Sequence, residues 1–255
     1  MRNKLLIVFF FCFIFSACVK RVPVNLPLGE KLSESRSADV SKRILAKQQN
    51  VNSIKTLYYT TIEHGDTRER FRQLFVFEKP AKFRFELLPT TSAYSLGLLI
   101  ADGKRSQFVD SDSGKITESE SVEDLLYETV RFRADAEELI FSLLGLIPNK
   151  YLQGNDLESF SGPDGRLRIF TKNRRFNALI SADGQFIEKA QILDEASDKV
   201  ILEVEYSDFT DRAGHSVPNS VKINFVRDQV LAALKLAHFE INKPVAAKLF
   251  EFVGQ

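Results

Sequence analysis

Tryptophan is absent from the 255 residues, cysteine occurs twice, and methionine is only the initiator. Two cysteines, one of them inside an apolar N-terminal run, exclude a disulfide framework and a cysteine metal site. Histidine is nearly as scarce. His64 falls at a turn, His215 in a loop, and His238 in a strand between Ala237 and Phe239; no two have metal-ligand spacing and there is no H-E-x-x-H. His238 therefore reads as structural. No G-x-S-x-G elbow and no phosphate-cradling glycine loop exists, and Ser95-Leu96-Gly97 lacks the first glycine such an elbow needs. The acid pairs Glu118/Glu120 and Glu137/Glu138 sit in helix-start or turn contexts and read as solvated faces. A two-carboxylate glycosidase would also need a saccharide cleft, commonly lined by aromatics that include Trp. The formal charge is +1, so no basic excess points to nucleic acid. No apolar run reaches the roughly 20 residues of a transmembrane helix. These absences favour binding over bond chemistry, and no enzyme, metal or cofactor is expected.

What is present begins at the N-terminus. Met1-Arg2-Asn3-Lys4 is basic, residues 5–15 are unbroken apolar sequence, and Ser16-Ala17-Cys18 closes the segment with small residues. This is the layout of a secretory signal peptide. The residues before Cys18 resemble the lipobox of bacterial lipoproteins, with Phe15 where leucine is usual. That resemblance implies cleavage before Cys18, a diacylglycerol on its thiol and an acyl chain on its new amino group. Several acyl chains make a stable anchor. The alternative is an ordinary cleaved signal that ends near a cysteine. Cys12, Arg2 and Lys4 leave with residues 1–17, so the mature chain keeps no free thiol and its charge becomes −1. Typical Gram-negative lipoproteins held at the inner membrane carry Asp after the cysteine; Val19 stands there, which by resemblance implies the periplasmic face of the outer membrane.

Residues 18–36 read as a lipidated N-terminus and tether, broken by Pro23, Pro27 and Gly29. Residues 37–255 read as one domain. A helix is expected over 37–50, with Ser37 as cap and Ala38, Val40, Ile44, Leu45 and Ala46 near one face. From residue 53 the period is two, and Phe83 and Phe85 alternate with Arg84 and Glu86 as in a half-buried strand. Asp102-Gly103, Asp164-Gly165 and Asp183-Gly184 mark hairpins. Two helices are expected between them, one capped by Ser121 and one after Asp135 that buries Leu139, Ile140, Leu143 and Leu144 before Gly145 and Pro148. Strands resume after residue 156, and the tail 245–253 reads as a last strand or helix docking on the sheet. The class is mainly β with helices (α+β): about eleven antiparallel strands with two or three helices on one side.

The order Phe83-Arg84-Phe85-Glu86-Leu87-Leu88-Pro89, polar loop, residues 96–100, Asp102-Gly103, Phe108-Val109-Asp110, helix, then Leu139 to Pro148 resembles LolB-like lipoproteins of the LolA/LolB lipoprotein-localisation family. Val217-Pro218-Asn219-Ser220-Val221 continues it. The resemblance implies an incomplete antiparallel β-barrel whose helices cover an apolar cavity for acyl chains. It also implies a soluble periplasmic LolA-like carrier, acylated lipoprotein cargo and outer-membrane lipid as partners. Such a chain is expected to work as a monomer. Residues expected to line the cavity are Leu57, Tyr59, Phe75, Phe77, Phe83, Phe85, Leu98, Ile140, Leu143 and Leu144, each equally readable as closed core. The loop matching the family's membrane-entering loop is 90–95, offering Ala93 and Tyr94 with Leu96 nearby; the alternative is an ordinary hairpin tip. Lys172-Asn173-Arg174-Arg175 is a second place to meet lipid head groups, or a solvated turn. The competing function is an accessory or scaffold lipoprotein of an envelope assembly that uses the same fold without lipoprotein transfer.

Overall fold

The computed structural model describes residues 29–91, 94–125, 136–148, 151, 157–162, 164–171, 176–194, 199–212, 214–227 and 229–254. The signal segment, Cys18, Ala93 and the turn at 172–175 lie outside these residues.

One 14-stranded antiparallel sheet organises the chain. Its first half runs β2 (Ser53–His64), β3 (Thr67–Glu78), β4 (Lys82–Pro89), β5 (Gly97–Asp102), β6 (Ser106–Asp110) and β7 (Ile116–Ser119). The second half runs β8 (Leu157–Ser161), β9 (Leu167–Thr171), β10 (Phe176–Ile180), β11 (Ile187–Leu193), β12 (Val200–Arg212), β13 (His215–Phe225) and β14 (Val230–Ile241). Within each half every strand pairs with its sequence neighbour, and β14 pairs with β2 to join the halves. A two-residue strand β1 (Glu30–Lys31) caps the β8 edge, so β1 and β7 are the two free edges and the barrel is not closed. This is the expected incomplete barrel with helices, with more strands than the sequence pattern marks.

The helix α1 (Glu34–Gln49) starts inside the segment read as tether. Its cap is Ser33, whose side chain accepts from Arg36 N, with Glu34 in the first turn where a carboxylate suits the helix dipole. Ser37 is not the cap; it is buried, and with Val40, Ile44 and Gln48 it forms the inward stripe. Ala38 and Ala46 face solvent. Residues 122–125 form a helical turn capped by Ser121, whose Oγ accepts from Asp124 N at 3.1 Å. The helix α2 (Ala136–Leu144) ends at Gly145 with φ +65°, and Leu146 N donates to Phe141 O at 2.9 Å. That is the Schellman geometry for which the missing Cβ of glycine is suited.

Core residues from both halves of the sheet, α1, α2 and Leu125 belong to one cluster on the concave side. A second, small cluster of Leu98, Ile100 and Phe252 lies on the convex side. The C-terminal segment makes it. A 3-10 helix, Ala247–Phe250, docks on β4 and β5, and Arg84 Nη1 donates to Leu249 O at 3.3 Å. Gln107 then brackets Val253, accepting from its N at 2.8 Å and donating to its O at 3.2 Å. The Arg105 guanidinium lies 4.9 Å from the Phe252 ring centroid.

Candidate functional site

Strand register decides which side chains meet on the concave face. Across β2 and β3, Ile54 opposes Phe77, Thr56 opposes Phe75 and Tyr58 opposes Gln73. Across β3 and β4, Phe77 opposes Phe83 and Phe75 opposes Phe85; across β4 and β5, Phe83 opposes Ala101 and Phe85 opposes Leu99. Directly opposed residues share a face. The result is an aromatic floor in which Phe75 lies 5.0 Å from Phe83 and 5.3 Å from Phe85, ring centroid to centroid, tilted or edge-on.

Of the residues expected to line a cavity, Phe75, Phe77, Phe83 and Phe85 belong to this floor. Ile140, Leu143 and Leu144 come down on the same core from α2. Leu57 and Tyr59 do not belong. They alternate with buried Thr56, Tyr58 and Thr60 and so point outward, Tyr59 being 54% exposed. Leu98 is also on the convex side, buried under Phe252. A one-residue offset moves a side chain to the other face of a sheet, and an all-apolar stretch gives no parity by which to see it.

The cover is tied down by a few polar contacts. Gln48 of α1 is 3% exposed and forms two hydrogen bonds with Ile147. Its Nε2 donates to Ile147 O at 2.7 Å, and its Oε1 accepts from Ile147 N at 2.8 Å. Tyr58, fully buried in β2, donates its hydroxyl to Leu143 O in the last turn of α2 at 3.3 Å. Burial pushes the Tyr58 phenol well above its usual pKa, so it stays a neutral donor. Tyr206 of β12 lies beside this latch, in contact with the end of α2: a Cβ at Gly145 would sit 3.6 Å from its ring. Its phenol is raised by burial and then by the neighbouring Tyr58. Tyr151 stacks on Phe176 at 4.9 Å and extends the cover over β10.

Among the described residues the concave face carries the buried side chains of one apolar cluster. Two cavities lie at the start of β2, lined by no residue of α1 or α2. One, of about 190 Å³, lies between the start of β2 and residues 243–249; the other, of about 470 Å³, is an open groove beside Glu78, Lys79 and Asn242. No group of three or more His, Cys, Asp or Glu is placed to hold a metal among the described residues. No helix there is long and apolar enough to cross a membrane, which says nothing of β-strands.

The loop after β4 is described at its two ends only, residues 90–91 and 94–96. Tyr94 is 83% exposed, whereas Leu96 is half-buried and its N donates to Leu87 O at 2.7 Å. The histidines stay apart. His238 faces outward next to a register shift in β14, with Nε2 3.0 Å from Glu240 Oε1.

Fold and site together define an open antiparallel barrel whose apolar concave face is closed by helices. Crystal structures of this class match it. A LolA superfamily protein from Nitrosomonas europaea aligns over 85% of this chain and 97% of its own, with 9% identity and a TM-score of 0.54. A provisionally named outer membrane lipoprotein-sorting protein domain from Vibrio parahaemolyticus aligns over 86% and 97%, with 7% identity and a TM-score of 0.57. A DUF1329 family protein from Desulfovibrio piger aligns over 85% and 96%, with 9% identity and a TM-score of 0.55. At such identities the likeness is one of fold. No family model and no curated protein matches the sequence.

Proposed function

We propose that this chain is a LolB-like lipoprotein that takes the acyl chains of other lipoproteins onto its concave face and helps insert them into the outer membrane. The observation that carries the reading is the aromatic floor of β3 and β4, closed by helices through isolated polar latches. Apolar surface of that extent, under a cover held at separate points, suits a guest of variable length such as an acyl chain. Transfer from a LolA-like carrier would follow relative affinities and break no covalent bond, so it calls for no nucleotide, metal or catalytic residue. The anchor is assigned to Cys18, carrying diacylglycerol and an N-acyl chain at the periplasmic face of the outer membrane. The test is transfer: a fluorescently acylated lipoprotein bound to its carrier is mixed with the chain and then with liposomes. Label that never leaves the carrier sinks the reading. A second reading, an accessory or scaffold lipoprotein, is the one that such a result would leave standing.

Two substitutions probe the parts at the membrane. Cys18→Ser should abolish incorporation of radioactive fatty acid, since no thiol remains to accept diacylglycerol; a labelled mutant would show that Cys18 is not the anchor. Tyr94→Glu should leave uptake of cargo unchanged and slow its release into liposomes, because a carboxylate resists the apolar layer that a tyrosine ring tolerates. Release at the wild-type rate would make residues 90–95 an ordinary hairpin tip.

A further inference from the structure

The floor and cover contain few polar atoms, and most are used. Thr60 Oγ1 lies 2.9 Å from Gln73 Oε1, Thr171 Oγ1 accepts from Phe176 N at 3.1 Å, and Gln48 is doubly bonded. Two buried hydroxyls on this face lack a partner among the described residues, Ser159 of β8 and Tyr206 of β12, and Tyr206 is the one beside the Tyr58 latch. It is 5% exposed, and its hydroxyl has no hydrogen-bond partner among the described residues. A sealed, unpaired hydroxyl costs free energy, so one beneath the cover calls for an explanation.

We propose that the Tyr206 hydroxyl is the hydrogen-bond donor for the carbonyl of an acyl ester or amide entering the concave face. The inference rests on the acyl-binding reading and adds to it a point of chemical recognition. The placement supports it in three ways. First, Tyr58, on the same face, already makes this type of bond: a buried phenol donates to a carbonyl, that of Leu143. Second, apolar neighbours surround Tyr206. Val221 lies across the strand pair, and Pro218 Cγ and the Tyr206 ring both lie within 4 Å of the position a Gly145 Cβ would take. A charged head group would be strongly disfavoured there, whereas a neutral acceptor on a hydrocarbon chain would not. Third, the residue touches the end of α2, the element that must move for a chain to enter. A carbonyl bound at Tyr206 would also compete with Leu143 O for the adjacent phenol, which ties recognition to opening of the cover.

The experiment uses the full chain held in amphipol and two pyrene-labelled probes of equal length, a monoacylglycerol ester and its 1-O-alkyl ether, which lacks the carbonyl. Tyr206→Phe should weaken the ester roughly three- to tenfold, the range of one net hydrogen bond, and leave the ether unchanged. The variant keeps the ring and removes a hydroxyl that has no partner, so its melting temperature should equal or exceed that of the wild type. A readout that needs no variant is the infrared stretch of a 13C-labelled ester carbonyl bound to the wild type, expected below its frequency in hydrocarbon. Equal loss for both probes, no loss for either, or an unshifted carbonyl would overturn the assignment to Tyr206 while leaving acyl binding intact. Failure of both probes to bind the wild type would instead overturn the acyl-binding reading, and this inference with it.

Discussion

Gln48→Leu is expected to lower the unfolding free energy by about 2–5 kcal/mol, because it orphans two buried backbone groups at once. Ile147 is fully buried, and both its N–H and its C=O are bound by the Gln48 side chain. Leucine is close to glutamine in size, so the packing changes little and the loss is of hydrogen bonds. Against a native stability of roughly 5–15 kcal/mol this is a large fraction. The midpoint of urea denaturation and the hydrogen exchange of the Ile147 amide would check it. The amide should lose protection even where the sheet keeps its own. A loss below about 1 kcal/mol would mean that water reaches both groups, and hence that the cover already stands open in solution. On the acyl-binding reading the same variant should take up cargo faster, since a latch between α1 and the segment after α2 is gone.

The second large effect is expected at the floor. Phe83 is 1% exposed, packs against Phe75 and belongs to the same apolar core as residues of the cover. Phe83→Ala should cost about 3–5 kcal/mol, the range for emptying a buried aromatic site. Leu57→Ala on the opposite face of β2 should cost well under that, since Leu57 is only half-buried. The pair of variants tests the register directly, because the two residues are equally apolar in sequence. An apolar ligand that fills the vacated space should restore stability in proportion to its concentration over its Kd, which calorimetric melting would show. Comparable losses at both positions would contradict the assignment of faces.

Much of the architecture was legible. The alternation at Phe83 and Phe85, with charges between them, marks both the strand and its buried face, and Gly145 marks the end of α2 as its φ requires. The failures have physical causes. Leu57-Tyr58-Tyr59 is apolar throughout, so the period of two vanishes where it was needed to separate inside from outside. Leu98 lies in β5, a strand buried on both faces, one against the floor and one against the tail. The strand β7 was missed because Ile116-Thr117-Glu118-Ser119 is mostly polar, and β1 because two residues carry no period. At the site, Gln48 and Tyr206 were missed for a common reason. A polar residue within an apolar face reads as a blemish in a hydrophobic pattern, and its partner or its want of one is visible only in three dimensions. The one usable signal for Gln48 was its place in a stripe of 37, 40, 44 and 48 along α1.

The pairing of β2 with β14 has a consequence for how the chain reaches this state. Residues 53–64 are among the first of the domain to leave a ribosome or a translocation pore, and their partners at 230–241 among the last. Until those arrive, one long edge of β2 offers unsatisfied N–H and C=O groups, the condition under which strands pair with the wrong neighbour. The tail that seals Leu98 and Ile100 emerges later still. A topology of such distant pairings acquires its native order slowly. For most of its synthesis the chain is therefore an unfinished sheet whose apolar face and open β2 edge are exposed together.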